Sequence, residues 1–224
     1  MNGRQQDLTA MKQWLDSAIE RGAVPVLTGS NGDMDTIGSA IALSSIHPSL
    51  LACGLHLGRV AKRMVEDLQA PFRKIAAKGT AFPEQMGGII IVDAAAPDQV
   101  GIDLPNVPRL ILDHHATNGW EIRDDDLMIQ WDVRATTEMI ATYMLEYAKE
   151  ALTEPVRKML LAGMITDTGR FRHANASSFS ITTKLLEDSS IDYAEFCEQI
   201  EREETSPSER GSLLRGLARS KHHD

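Results

Sequence analysis

Through its first two-thirds the chain alternates short apolar runs with longer amphipathic stretches, a pattern of βαβ units that few folds accept. The runs at 24–28, 51–57, 88–92, 109–112 and 128–131 are too short for helices, and IIIV within them is apolar at every position. Such continuous apolarity is what strands of a parallel sheet need when helices or loops cover both faces. Helical spacing is predicted over 36–46, 59–68, 136–149, 155–164, 178–188 and 192–202. Nearer the start, Leu8, Met11, Leu15, Ala18 and Ile19 share one helical face before Gly22 stops the run. Thr153 followed by Pro155 reads as a helix start, with a hydroxyl cap and a proline in the first turn. The expected fold is α/β: a parallel sheet with flanking helices and, from Glu154 onward, a helical C-terminal part.

With 224 residues, 42% hydrophobic and 25% charged, the chain can bury a sizeable core and is expected to be globular. No run approaches the ~18 apolar residues that span a bilayer, and the first residues lack the apolar stretch of a secretory signal, so no membrane association and a cytoplasmic location are expected. Cys53 and Cys197 stand far apart and outside any zinc-type spacing, as ordinary reduced thiols do. A net charge of −9 argues against a broad phosphate-binding surface. Acidic groups gathered in a pocket would instead attract divalent cations, which supply the positive charge an anionic substrate needs.

Four segments hold the acidic and imidazole groups. In TGSNGDMDTIGSAIAL, Asp33 and Asp35 lie in a glycine-rich turn between a strand and a helix. Their i, i+2 spacing in extended backbone would send the carboxylates to different sides of a site, whereas helix capping is the plainer use of aspartate there. In GIIIVDAAAPDQVG, Asp93 ends an apolar strand, where ligands of open parallel sheets bind. In RLILDHHATN, Asp113, His114 and His115 follow another strand; one imidazole can bind metal while its neighbour faces substrate, with Asp113 orienting a ring or the backbone. In LLAGMITDTGRFRHANAS, Asp167 precedes a turn whose Arg170, Arg172 and Asn175 suit either phosphate oxygens or an ordinary surface.

Together these carboxylates and imidazoles have the ligand types of a two-metal hydrolytic site. Without metal such carboxylates repel one another and some must take up protons. Two ions ~3.5–4 Å apart remove that repulsion, generate a hydroxide near neutral pH and polarise a phosphoryl oxygen. Donors that are mainly oxygen favour Mn²⁺ or Mg²⁺ over structural zinc.

In their order, DMDTIGSAIAL, VDAAAPD, LDHHATN and ITDTGRFRHANAS resemble the four signature motifs of the DHH phosphoesterases, which include RecJ-like exonucleases, NrnA-like oligoribonucleases, cyclic-dinucleotide hydrolases and the related manganese pyrophosphatases. The resemblance implies that Asp35, Asp93, His114 and Asp167 hold one ion and that Asp33 shares a second with a bridging Asp93. By the same likeness His115 faces the scissile phosphate, and the segment around Phe171, Arg172 and Asn175 faces substrate. The implied activity is hydrolysis of phosphodiester bonds in single-stranded or short nucleic acid, or in nucleotides, by a metal-bound hydroxide. The alternative is a catalytically weakened relative acting as a binding or scaffolding partner in replication or repair complexes. Hydrolysis of pyrophosphate would need a closed, strongly basic pocket, for which no concentrated Lys/Arg run is present. Trp120, Trp131 and Phe171 are too scattered for an aromatic groove and are expected as core or edge residues.

Two departures from the family pattern stand out. Gly29 occupies the position of the usual histidine ligand of the second ion, so a mononuclear site is open and Gly29→His is expected to tighten the second metal. The glycine-rich, histidine-containing motif of the family's smaller C-terminal domain is absent as well. Residues 1–206 are therefore expected to form the DHH domain. Residues 207–224 form a helix and charged tail, either closing a stand-alone domain or opening the linker to a second one. His222 and His223 in that tail read as solvated.

Overall fold

The computed structural model describes residues 3–202 and 207–219; the tail bearing His222 and His223 lies outside the described residues. Helix α1 (Gly3–Arg21) leads into strand β1 (Val24–Thr28), then α2 (Met34–Ser44), β2 (Leu50–Gly54), α3 (Arg59–Asp67), β3 (Arg73–Lys74), β4 (Ile89–Val92), β5 (Arg109–Asp113) and β6 (Leu127–Gln130). After the sheet come α4 (Thr136–Tyr147), α5 (Glu154–Asp167), α6 (Ala176–Leu186), α7 (Tyr193–Glu201) and α8 (Pro207–Arg219). Met1–Ile191 forms one compact unit and Asp192–Asp224 a second, which carries α7 and α8. Among the described residues no helix is long and apolar enough to cross a membrane.

All six strands pair in parallel, in the order β3-β2-β1-β4-β5-β6. The order reverses between β1 and β4, which opens a crevice at the carboxyl ends of those strands. Both the loop bearing Asp33 and the turn at Asp93 leave the sheet there.

Each residue of β4 is fully buried, which explains why this strand is apolar throughout. Leu27, Ile89, Ile91 and Ile111 share one core cluster with Val100 and Trp120, capped by irregular segments that bring in Phe82, Leu104 and Val107. Helices α2 and α4 lie against the strands, and α5 packs on both. Ten of the eleven residues of α2 are buried, and Gly38 is one reason. A Cβ there would lie 2.6 Å from the Met159 carbonyl, so only glycine lets α2 approach α5 so closely.

Asp126, just before β6, fastens the opposite end of the sheet. Its side chain is fully buried and accepts from Arg109 N (3.0 Å), Arg109 Nε (3.0 Å), Arg123 N (2.9 Å) and Arg123 Nη2 (2.9 Å). Burial alone would raise this carboxyl, but the bonds from Arg109 and Arg123 outweigh it and hold the group well below the usual carboxylate range.

Two local expectations change. Thr153 does occupy the N-cap of α5 with Pro155 in the first turn, yet its hydroxyl makes no capping bond. Asp33 and Asp35 do not share one extended stretch: Asp33, the N-cap of α2, is extended, whereas Asp35 is already helical.

Candidate metal centre

The acidic groups reach the crevice from the start of α2, the end of β4 and the end of α5, and backbone amides hold the carboxylates of Asp33 and Asp35. Asp33 Oδ1 accepts from Thr36 N (3.1 Å) and its Oδ2 from Asn31 Nδ2 (2.6 Å), so the capping role and a place at the crevice coexist. Asp35, 1% exposed, points at the N-terminus of α4: Oδ2 accepts from Thr136 N (2.7 Å), and Oδ1 from Thr137 N (2.8 Å) and Thr137 Oγ1 (2.6 Å). The first-turn N–H groups, which have no partner within the helix, and the helix dipole favour a carboxylate at that position.

Asp93 adopts φ 57°, a left-handed conformation that costs a non-glycine residue about 1–2 kcal/mol. It persists because the surrounding loops are laced together. Asp93 N donates to Leu112 O (2.9 Å), Gly119 N to Ala95 O (2.8 Å) and the Trp120 indole to Ala94 O (2.8 Å), while Thr136 Oγ1 donates to Asp93 Oδ1 (3.2 Å). Thr136 and Thr137 thus hold two carboxylates, a role absent from the sequence reading. The available signal was a hydroxyl pair at a helix start; it reads as capping, yet the N-cap is Ala135. Gly163 in α5 makes room, since a Cβ there would meet Thr137 Cγ2 at 2.5 Å.

His114 collects the cluster. Its Nε2 lies 3.5 Å from Asp93 Oδ1, 3.5 Å from Asp167 Oδ2 and 3.9 Å from Asp35 Oδ2. Two overlapping sets, Asp35–His114–Asp167 and Asp93–His114–His115, have one ligand atom each within 4.8 Å of the others, the span a single cation can bridge. Asp33 belongs to neither set. His115 Nδ1 lies 2.7 Å from Asp113 Oδ1, and Asp113 is wholly buried at the end of β5. The other Asp113 oxygen has no hydrogen-bond partner.

The electrostatics are those of a site that a positive charge would stabilise. Burial, reinforced by Asp93 and Asp167, pushes Asp35 well above the usual carboxylate range despite its bonds to Thr137. Burial also raises Asp167 to about 6, with His114 opposing and Asp93 and Asp33 adding to the rise. Asp33 is raised by burial and then by Asp93. Burial works against the charged form of His114, but the carboxylates of Asp93, Asp35 and Asp167 prevail and lift it to about 9. Oxygen donors with one shared imidazole, crowded until they must bind protons, fit a hard divalent cation.

A pH dependence follows. A carboxyl whose folded value is raised contributes stability below its ordinary value, and that contribution is lost as pH rises through about 6 for Asp167. Mn²⁺ is therefore expected to raise the melting temperature more at pH 7 than at pH 5. Equal increments in melts with Mn²⁺ against chelator would contradict this.

Gly29 is not a vacancy awaiting an imidazole. Its N–H donates to Thr36 Oγ1 (2.9 Å), which in turn donates to Val92 O (3.1 Å). A Cβ at position 29 would stand 3.0 Å from the Asp93 carbonyl and 3.1 Å from Asn31 Oδ1. The asparagine can rotate aside, whereas the carbonyl is backbone of a residue in the cluster. Contrary to the expectation from the family resemblance, Gly29→His alone is expected to leave the metal stoichiometry unchanged, read by calorimetry.

Past Asp167, the last residue of α5, the chain turns through three consecutive left-handed residues, Gly169 (φ 56°), Arg170 (φ 60°) and Phe171 (φ 63°). Arg170 and Arg172 are exposed on this turn. Asn175 caps α6, accepting from Ser178 N (3.0 Å) through Oδ1. Glu138 of α4, also buried, accepts from the hydroxyls of Ser177 and Ser178 (2.9 Å) and so ties the start of α6 to the helix that holds Asp35. Trp120 and Trp131 are core residues, as expected.

Residues 23–166 match the DHH family, N-terminal domain. The chain is 26% identical over 182 residues to an uncharacterized protein of Methanocaldococcus jannaschii, covering 77% of this chain and 54% of that protein. An exopolyphosphatase-related protein from Bacteroides fragilis superposes with a TM-score of 0.73 at 17% identity, over 98% of this chain and 66% of that one. A candidate family II inorganic pyrophosphatase from Methanococcus jannaschii superposes with a TM-score of 0.64 at 24% identity, over 79% of this chain and 60% of that one. The chain thus spans about half the length of the curated relative it matches, and the two superpositions show a shared fold. With six parallel strands in this order and the family match across all of them, the chain belongs to the DHH family and carries its N-terminal domain.

Proposed function

We propose that this domain is a phosphoesterase that hydrolyses phosphodiester bonds in single-stranded or short nucleic acid, with Mn²⁺ or Mg²⁺ held by Asp35, Asp93, His114 and Asp167. One observation carries this reading: a single imidazole nitrogen faces three carboxylates from three different elements within 3.9 Å at the switch point of the sheet. These residues would hold a divalent ion, which when bound would supply positive charge for a phosphoryl oxygen and lower the pKa of a water. Asp33, at the edge of the cluster, is the ligand left for a second ion.

The remaining chemistry belongs to side chains. Asp113 accepts from His115 Nδ1–H and orients the ring, so that a proton taken up from solvent at His115 Nε2 can pass to the departing oxygen, with Nε2 regaining one from solvent afterwards. His115 is 44% exposed, as a substrate-facing group must be. The exposure of Arg170 and Arg172 supports a role in pairing with phosphate oxygens of an extended strand, and the amide nitrogen of Asn175 is the donor its capping role leaves over.

The second reading, a scaffold or binding partner in replication or repair complexes with weakened catalysis, is favoured by the packed loop at Gly29. A Mn²⁺-supplemented panel of pyrophosphate, a dinucleotide, a cyclic dinucleotide and single-stranded oligomers separates the two. Turnover of the dinucleotide or oligomers is expected; no turnover of any substrate with either metal leaves the scaffold.

A further inference from the structure

We propose that Phe171 and Phe179 form a stacking platform for one nucleobase of the substrate, beside Asp167. The inference rests on the phosphoesterase reading above and names the part of the substrate that the metal cluster does not touch.

The two rings are stacked, with centroids 5.3 Å apart and planes 27° from parallel. Among the described residues most large apolar side chains are buried, yet Phe179 is 54% exposed and Phe171 is half-buried. Phe179 stands in the first turn of α6, and Phe171 lies four residues beyond Asp167. Even fully extended, four residues span at most about 14 Å. This turn is folded back much more tightly: Arg170 N donates to Ile165 O (2.7 Å), Phe171 N to Thr168 Oγ1 (2.9 Å) and His173 N to Thr168 O (2.9 Å).

The backbone at Phe171 is left-handed, which a bulky aromatic side chain rarely adopts. A turn that holds it there aims the ring in one direction, and such strain concentrates at ligand sites. On the other side, Glu138 fixes the start of α6 through Ser177 and Ser178, so the position of Phe179 is set by the same helix that holds Asp35.

The chemistry of the neighbours selects the ligand. Arg170 and Arg172 bracket Phe171 in sequence and are exposed. Cations beside an exposed aromatic face suit a nucleotide, whose phosphate pairs with the guanidinium while the base covers the ring. Pyrophosphate has no flat apolar part to cover it. A base from any of the four nucleotides would serve, because stacking reads the π-face and not the hydrogen-bonding edge.

The test uses the full chain with Mn²⁺ and compares a dinucleotide with its abasic counterpart. In Phe179→Ala the ratio of kcat/KM for the two is expected to fall roughly 5- to 150-fold, the span of base–aromatic stacking. Phe179→Trp should keep or raise it. A binding arm needs no turnover: Phe179→Trp fluorescence should be quenched by AMP and not by ribose 5-phosphate. An unchanged ratio, or quenching by both ligands or by neither, overturns the platform. So does a fall of several degrees in the melting temperature of Phe179→Ala with no change in base discrimination, which would mean that the rings cover polypeptide. If the wild-type chain turns over nothing, the phosphoesterase reading fails while the fluorescence arm still reports on the base contact.

Discussion

Asp93→Ala is expected to abolish hydrolysis, with a loss beyond the ~100-fold that outer partners of a metal site cost when removed, because Asp93 is proposed as an inner ligand. The geometry gives the reason. Asp93 Oδ1 lies 3.5 Å from His114 Nε2 and 3.9 Å from His115 Nδ1, and it receives the Thr136 hydroxyl, so no other carboxylate in the cluster touches as many of the proposed functional groups. Calorimetry should show metal affinity falling together with turnover. Because alanine at φ 57° is strained, Asp93→Asn serves as the partner variant: asparagine tolerates the left-handed region and keeps the shape while removing the charge. Both variants should lose activity, and the asparagine variant should keep its melting temperature. Full turnover by either one would show that the metal site has been assigned to the wrong residues.

Asp126→Ala should cost about 3–5 kcal/mol of stability, the size seen when one partner of a buried ion pair is removed and the other stays behind. At this chain length that is a fall in melting temperature of roughly 6–20 °C. Arg109, whose side chain is only 12% exposed, would be left without its counter-charge, and the amide of Arg109 at the start of β5 would lose its acceptor. Asp125→Ala is the control, since Asp125 is 55% exposed and meets Arg123 only at 3.7 Å; its change should stay within about 0.5 kcal/mol. Acid should reproduce the effect in the unmodified chain. The folded value of Asp126 is depressed, so its contribution is present above the ordinary carboxylate value near 4 and lost as pH falls toward the folded value. A melting temperature within 2 °C of wild type for Asp126→Ala would refute this account.

Strand β4 and the residues grouped at the crevice were legible because their signals are local. IIIV is apolar at each position because both faces of the sheet are covered, and the aspartates and histidines follow strands, where a parallel sheet exposes its carboxyl ends. Other features had no local signal. Strand β3 is two residues, Arg73 and Lys74, made a strand only by pairing with Cys53 and Gly54. Nothing in the run Asp124–Asp125–Asp126 distinguishes the third aspartate, which becomes the buried one by meeting Arg109 across the sheet. Phe179 lies in an ordinary amphipathic helix and acquires its meaning from Phe171, a residue in the preceding loop.

The sequence by itself determined the class of fold, the order of the four acidic segments and the identities of the groups that meet in the crevice, since periodicity and residue type are properties of the chain. The tertiary structure decided which of those groups share a point in space. It gathered Asp35, Asp93 and Asp167 around His114, set Asp33 to one side as a helix cap, recruited Thr136 and Thr137 to hold two of the carboxylates, and closed the loop at Gly29 against the Asp93 carbonyl. The physical reason is that ligand geometry depends on distances between residues far apart in the chain. Those distances are set by strand order and helix packing, which arise only when the sheet and its helices bury their apolar faces together.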